Sequence, residues 1–174
     1  MSLLNRIKNK IVSLESAKSL TGEWKTSGEK IVFTNGVFDL IHPGHITYLA
    51  DAASFGTKLV IGLNADESVK TLSKGPARPI KDEFSRSMIL AAMEFVDAVI
   101  IFNDSTPYEL IKSIQPNVLI KGGDYDAAET DTTSKKYIVG RDVVKHAGGE
   151  VFVIPFLEGY STTSLEKKII EANQ

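Results

Sequence analysis

The chain has 174 residues, 43% of them hydrophobic, with 20 basic against 22 acidic residues and a formal net charge of -2. That length and apolar share suit one globular domain with a substantial core, and the balanced, interspersed charge leaves no electrostatic footprint for nucleic acid or for an anionic membrane. Cysteine is absent, which removes any disulfide framework and fits a reducing compartment, so a cytoplasmic location is expected.

Leu3, Leu4, Ile7, Ile11 and Leu14 form an apolar stripe interrupted by Arg6, Lys8, Lys10 and Glu15. With no unbroken apolar run it reads as an amphipathic helix rather than a signal peptide or membrane span. Trp24 follows in a polar segment that reads as a connection. Residues 1–29 are therefore expected as an N-terminal helix and connection, and residues 30–174 as the main domain.

From residue 30 strands and helices alternate. The run IVFTNGV predicts a strand, Ile46 to Ser54 a helix stopped near Gly56, and Lys58 to Asn64 a second strand. A helix over Asp82 to Phe95, a strand over Ala98 to Phe102, a helix near Pro107 to Ile114 and a strand over Val118 to Lys121 follow. Gly140 delays the next helix to about Arg141, and strand Glu150 to Ile154 precedes a last helix over Ser164 to Ala172. The alternation predicts right-handed βαβ units and an α/β, Rossmann-like fold: a five-stranded, mainly parallel sheet with helices on both faces. Ligands of such sheets bind beyond the carboxyl ends of the strands.

One such end carries the most informative segment, TNGVFDLIHPGHITYL, Thr34 to Leu49. His42 and His45 bracket a helix N-terminus, where free amides and the helix dipole favour an anion and imidazoles can add hydrogen bonds to phosphate oxygens. Gly44 between them would let the backbone approach a ligand. An HxGH string can arise by chance in a loop, but the strand-turn-helix setting favours phosphate binding. Two histidines without cysteine are too few for a zinc set, so no metal-ligating residues are assigned.

A second anion site is expected where Ser161, Thr162 and Thr163 precede the last helix. Thr163 with Glu166 makes a capping box, which accounts for one hydroxyl and leaves the others for phosphate oxygens. Two helix N-termini at one sheet edge suit a polyphosphate. Lys70, Lys74, Arg78 and Lys81 fall in a predicted loop after the second strand, with Lys74 beside Gly75 placed to close over a triphosphate. In KGGDY, Lys121 to Tyr125, the glycines would admit a base or ribose, and Asp124 either binds ligand or caps a turn. No Walker A or GxGxxG pattern occurs, which removes the main support for a P-loop NTPase or a dinucleotide oxidoreductase. Histidines and a helix N-terminus around a phosphate suit attack at phosphorus by an already anionic nucleophile, which needs no strong general base.

GVFDLIHPGH, KGGDY and EGYSTT resemble the HxGH nucleotidyltransferases of the cytidylyltransferase-like group, over nearly everything from residue 30 onward. LNADESVKTLSKGPARPI, LIKGGDY, IVGRDVV and GGEVFVIPFLEGYSTT are similar to its adenylyltransferase branch, which makes ADP-heptose from D-glycero-β-D-manno-heptose 1-phosphate. The resemblance implies a nucleotidyltransferase domain over 30–174 that moves AMP from ATP to a sugar 1-phosphate and releases pyrophosphate, with Mg2+ helping to neutralise the triphosphate. It implies that His42 and His45 hold the phosphates, that Ser161, Thr162 and Thr163 hold the outer ones, and that Lys74 reaches phosphate. Val37, Phe38, Gly44 and Asp124 would line the nucleotide, Asn64, Arg78 and Lys121 the acceptor, and Asp39 would orient the HPGH turn.

Heptose-type members often carry a sugar kinase domain ahead of this one, so a stand-alone enzyme fed by a separate kinase is expected. Related enzymes are often dimers, and the Leu3 to Leu14 stripe offers a surface either for a homodimer or for packing on the domain. Glycerol-phosphate cytidylyltransferases usually carry an arginine before an aromatic-Val-Asp string and an RTEGISTT block. Here the corresponding segments are MEFVD, with Glu94, and PFLEGYSTT, which favours ATP over the alternative of CTP with glycerol 3-phosphate or another polyol phosphate. A non-catalytic nucleotide-binding module is the reading from another class, and the intact HPGH and STT motifs oppose it.

Overall fold

Short apolar runs that are buried on both faces are what parallel strands require, and this chain supplies five of them. A computed structural model describes residues 1–72 and 78–172. Strands β1 (Ile31–Gly36), β2 (Lys58–Asn64), β3 (Ala98–Phe102), β4 (Val118–Gly122) and β5 (Glu150–Ile154) pair in parallel in the order β3-β2-β1-β4-β5. The helices are α1 (Leu3–Lys8), α2 (Leu14–Thr26), α3 (Pro43–Ala53), α4 (Asp66–Thr71), α5 (Glu83–Ala91), α6 (Tyr108–Ile114), α7 (Arg141–His146) and α8 (Thr162–Glu171).

Alternation along each strand divides the core in two. On one face Val32, Ile61 and Val99 meet Leu49 and Ala52 of α3 and Leu90 of α5. On the other, Ile31, Phe33 and Ile100 meet Ala17 of α2, Leu110 and Ile114 of α6 and Val144 of α7. The predicted Rossmann-like sheet with helices on both faces is the architecture observed.

The N-terminal stripe differs from the expected single helix. Ser2 caps α1 and Ser13 caps α2, and between them Ile11 bridges in parallel to Val99. Val12 N–H donates to Val99 O at 3.0 Å, and Val99 N–H to Lys10 O at 2.8 Å. The β-branched Ile11-Val12 pair favours extended pairing, and it covers part of the exposed edge of β3. Trp24 lies in α2 rather than in a connection. Other boundaries shift as well: Asp82 caps α5, which ends at Ala91 instead of Phe95, and Lys70 sits on α4, paired with Glu67 at 2.6 Å, rather than in a loop.

The sheet is not uniformly zipped. β1 pairs with β2 from Ile31 to Gly36, but with β4 only through Val32–Val118 and Phe33–Leu119. Beyond that point side chains span the gap. The Tyr48 hydroxyl lies 2.6 Å from Thr34 Oγ1 and donates to Ile120 O at 3.4 Å, and Lys121 Nζ donates to Asn35 Oδ1 at 2.6 Å. β1 and β4 are also where the strand order reverses, so a crevice opens at the carboxyl end of the sheet.

Tyr48→Phe keeps the ring packing but strands the buried Thr34 hydroxyl. Urea unfolding is expected to show a loss of about 1–2 kcal/mol at unchanged m. A loss within error of zero would remove this bridge from the account of the crevice.

Candidate active site

The β1–α3 turn is built around a strained residue. Phe38 has φ 49, a left-handed conformation that a bulky side chain adopts only when its surroundings fix it. Its ring, 6% exposed, packs over Gly36, where a Cβ would come within 3.0 Å of it. The same ring meets His45 edge-on at 5.5 Å. Pro43 begins α3 with no donor to lose, and His42 is its N-cap in extended conformation.

The imidazoles of His42 and His45 stack at 3.9 Å with 27° between planes. Nδ1 of each is buried, and that of His42 has no hydrogen-bond partner among the described residues. Burial pushes the His42 pKa below the usual imidazole value, so the ring is chiefly neutral at pH 7. A neutral, desolvated ring at a helix N-terminus is poised to meet an anion.

A cavity of about 790 Å³ opens at the crevice. It brings together Val37, Phe38, His45, Asn64, Arg78, Lys121, Thr162 and Thr163 from five separate segments, with His42 stacked behind His45. Asn64 is 5% exposed and donates to Ser68 Oγ at 2.8 Å, and Lys121 Nζ stands 5.4 Å from the Tyr125 ring centroid. Lys74 lies outside the described residues, while Asp124 is exposed and off the cavity wall.

Three glycines around the site are closely packed. A Cβ at Gly44 would meet the His42 ring at 3.1 Å and Tyr160 Cβ at 3.3 Å, so this glycine serves close packing of the α3 N-terminus. Gly122 and Gly123 seat the ring of Phe156, which is 61% exposed and lines the cavity with Gly122.

Asp39 and Arg78 are joined in one network at the cavity wall. Asp39, 3% exposed, accepts from the backbone N–H of Ile80 and of Lys81 at 2.9 Å and from Arg78 Nη1 at 2.8 Å. Burial works against its charge, but these amides and the guanidinium outweigh it and hold the pKa below the usual carboxylate value. Asp39 therefore staples residues 78–81 to the β1–α3 turn. Arg78, 10% exposed, also pairs with Glu166 at 2.6 Å, so its charge is already shared between two carboxylates. The predicted Thr163–Glu166 capping box is replaced: Ser161 caps α8, its Oγ accepting from Ser164 N–H at 3.0 Å, and Glu166 is turned toward Arg78. Because α8 starts at Thr162, Thr163 is inside the first turn and is no longer the cap.

Arg86 was not singled out by its sequence context, yet it is fully buried. It donates to Val37 O at 2.7 Å, to Lys81 O at 2.9 Å and to Asp66 Oδ1 at 2.7 Å, tying the β1–α3 turn, the segment before α5 and the start of α4 to α5. The available signal was its place four residues before Leu90 on the inward face of an amphipathic helix, where a cation must find partners. Lys135 and Tyr137, from the segment between β4 and α7, also line the cavity. Among the described residues no group of three or more His, Cys, Asp or Glu is placed to hold a metal ion, and no helix is long and apolar enough to cross a membrane.

Comparison with known proteins gives a consistent picture. A family model described as cytidylyltransferase-like matches residues 33–168. The bifunctional protein HldE of Wolinella succinogenes is 46% identical over 160 residues, 92% of this chain and 31% of that protein. HldE of Geobacter metallireducens is 46% identical over 163 residues, 94% of this chain and 31% of that protein. The chain thus spans 31% of the length of these curated relatives. Among solved structures, the lipopolysaccharide core biosynthesis protein from Thermoplasma volcanium GSS1 superposes with TM-score 0.57 at 25% identity, covering 77% of this chain and all of that one. Pantoate-beta-alanine ligase from Francisella tularensis, at 15% identity, gives TM-score 0.56 over 94% of this chain and 79% of its own, a likeness of fold alone.

Asp39→Asn is expected to cost about 2 kcal/mol at pH 7 in urea unfolding, since charged hydrogen bonds become neutral ones. The folded-state pKa of Asp39 is depressed, so its contribution is present above the unfolded value near pH 4 and is lost as pH falls through the folded value. The two stability curves should converge in acid, and parallel curves would contradict this account of the staple.

Proposed function

The chain belongs to the cytidylyltransferase-like family of nucleotidyltransferases, and we propose that it transfers AMP from ATP to D-glycero-β-D-manno-heptose 1-phosphate, giving ADP-heptose and pyrophosphate. The observation that carries this reading is the convergence of two helix N-termini, α3 with His42 and His45 and α8 with Thr162 and Thr163, on one cavity at the switch point of the sheet. The proposed setting is cytoplasmic, where ATP is at hand. The HldE relatives and the quoted sequence blocks support the choice of substrate.

In the reaction a phosphate oxygen of the sugar phosphate attacks the α-phosphorus of ATP. The new O–P bond forms as the bond from α-phosphorus to the oxygen bridging to the β-phosphorus breaks, and that oxygen leaves with the electron pair as pyrophosphate. The nucleophile is already anionic, so the chain needs no general base, and its task is to align two anions and stabilise charge on the reacting phosphoryl oxygens. His45, with His42 stacked behind it and the first amides of α3, takes the α-phosphate. The first turn of α8 takes the outer phosphates, and Lys121 and Asn64 face the acceptor. Mg2+, when bound, neutralises triphosphate charge. Without a carboxylate cage among the described residues, it would enter on the nucleotide.

The base is assigned as adenine. Counting back from STT, Phe156 stands where the cytidylyltransferase block has arginine, and exposed Glu94 stands where the other arginine would be. Phe156 lines the cavity, so no guanidinium enters the cavity from that position.

Pyrophosphate release is expected with ATP and the heptose 1-phosphate, and not with CTP and glycerol 3-phosphate. CTP-dependent turnover of glycerol 3-phosphate would overturn the base assignment. His45→Ala should lower kcat/KM by about 100-fold with an unchanged unfolding midpoint, as for loss of one transition-state contact. A change under threefold would remove His45 from the mechanism.

His42 gives a separate test. Its pKa is low in the free protein, and a neighbouring triphosphate favours the charged ring, so ATP binding near pH 6 should take up a proton. Titration calorimetry in two buffers of different ionisation enthalpy reads this uptake. It should vanish in His42→Asn, and an identical uptake in that variant would assign the proton elsewhere.

A further inference from the structure

Helix α8 is held in an uncommon way. It buries none of its residues, and Leu165, Ile169 and Ile170 remain exposed. Most helices in folded proteins are fixed by an apolar face, and α8 lacks a buried one. Thr162 and Glu166 are the two residues of α8 that are not exposed. Spaced i and i+4, they share one face of the helix.

That face turns toward the cavity. Thr162 lines it, and Glu166 Oε2 lies 2.6 Å from Arg78 Nη2. Arg78 is gripped from its other side by Asp39, which is itself fixed by the N–H groups of Ile80 and Lys81. A continuous chain of charge-assisted contacts thus runs from the β1–α3 turn through Asp39, Arg78 and Glu166 to the first turns of α8. Glu166 keeps partial contact with water, so the value of this pair lies in geometry more than in stability.

We propose that Glu166 is a positioning residue, which through its ion pair with Arg78 sets where Thr162 and Thr163 stand relative to His42 and His45. The proposal rests on reading the cavity as a nucleoside triphosphate site. It assigns Arg78 to holding α8 rather than to contacting the acceptor. The effect should fall on the outer phosphates alone, since in that reading the α-phosphate meets His45 and the start of α3, which is held by its own buried residues Tyr48, Leu49 and Ala52.

The test is equilibrium binding of ATP, CTP and AMP to the full chain, wild type and Glu166→Gln, alongside Thr163→Val and the double variant. Glu166→Gln should weaken the preferred triphosphate about tenfold while AMP stays within twofold and the urea midpoint is unchanged. The double variant should lose no more than the worse single variant, because Glu166 acts through the α8 hydroxyls. Glu166→Asp, which keeps the charge, should recover part of the loss. Equal weakening of AMP, a triphosphate affinity within twofold of wild type, or additive losses would each overturn the proposal. A wild-type chain that binds neither ATP nor CTP would overturn the reading of the cavity and the proposal together, whereas preference for CTP would correct the base and leave the role of Glu166 to be decided by the same comparison.

Discussion

The early end of the β1–β4 ladder is the constraint on which the rest of the structure depends. After Phe33–Leu119 the two strands stop pairing, yet their polar groups remain near the centre of the molecule. Buried polar groups need partners: Tyr48 donates to the Ile120 carbonyl and meets the Thr34 hydroxyl, and Lys121 donates to the Asn35 side chain. The consequence is a crevice whose walls are the carboxyl ends of β1 and β4, with α3 starting directly from one of them.

Buried charge then fixes the loops around that crevice. Arg86, Asp39 and Arg78 are nearly or wholly buried, and each binds backbone or side-chain groups from a different segment. Such pairs contribute little net stability, because desolvation offsets much of the attraction. What they supply is definition. Arg86 holds the carbonyls of Val37 and Lys81, so the turn that bears Phe38 and the segment after residue 78 are tied to α5, although the two are far apart in sequence.

This division explains what could be read in the sequence. The five strands and the helices on both faces were legible because strand burial and helix amphipathicity are local patterns, and HPGH was legible because it sits in a strand-turn-helix context. Ile11 was misread as part of a helix since its partner, Val99, lies far along the chain. Arg78 was expected at the acceptor, and its pairing with Asp39 and Glu166 was not legible because both partners lie far from it in sequence. Close approach at Gly122 and Gly123 was legible, but the packing of Phe156 there was not, because a sequence shows that something comes close and not which side chain it is.

The two helix N-termini that meet at the cavity are supported unequally, and the difference matches the chemistry proposed for them. α3 buries Gly44, Tyr48, Leu49 and Ala52 and so belongs to the core, whereas α8 buries nothing. Charge on the reacting phosphate is best stabilised by groups that need no reorganisation, which favours a rigid α3 beneath the two histidines. The outer phosphates must depart as pyrophosphate after each turnover. A helix that buries none of its residues and carries an ion pair to Arg78 can yield at low cost, so the light anchoring of α8 favours release where the strong anchoring of α3 favours the bond-making step.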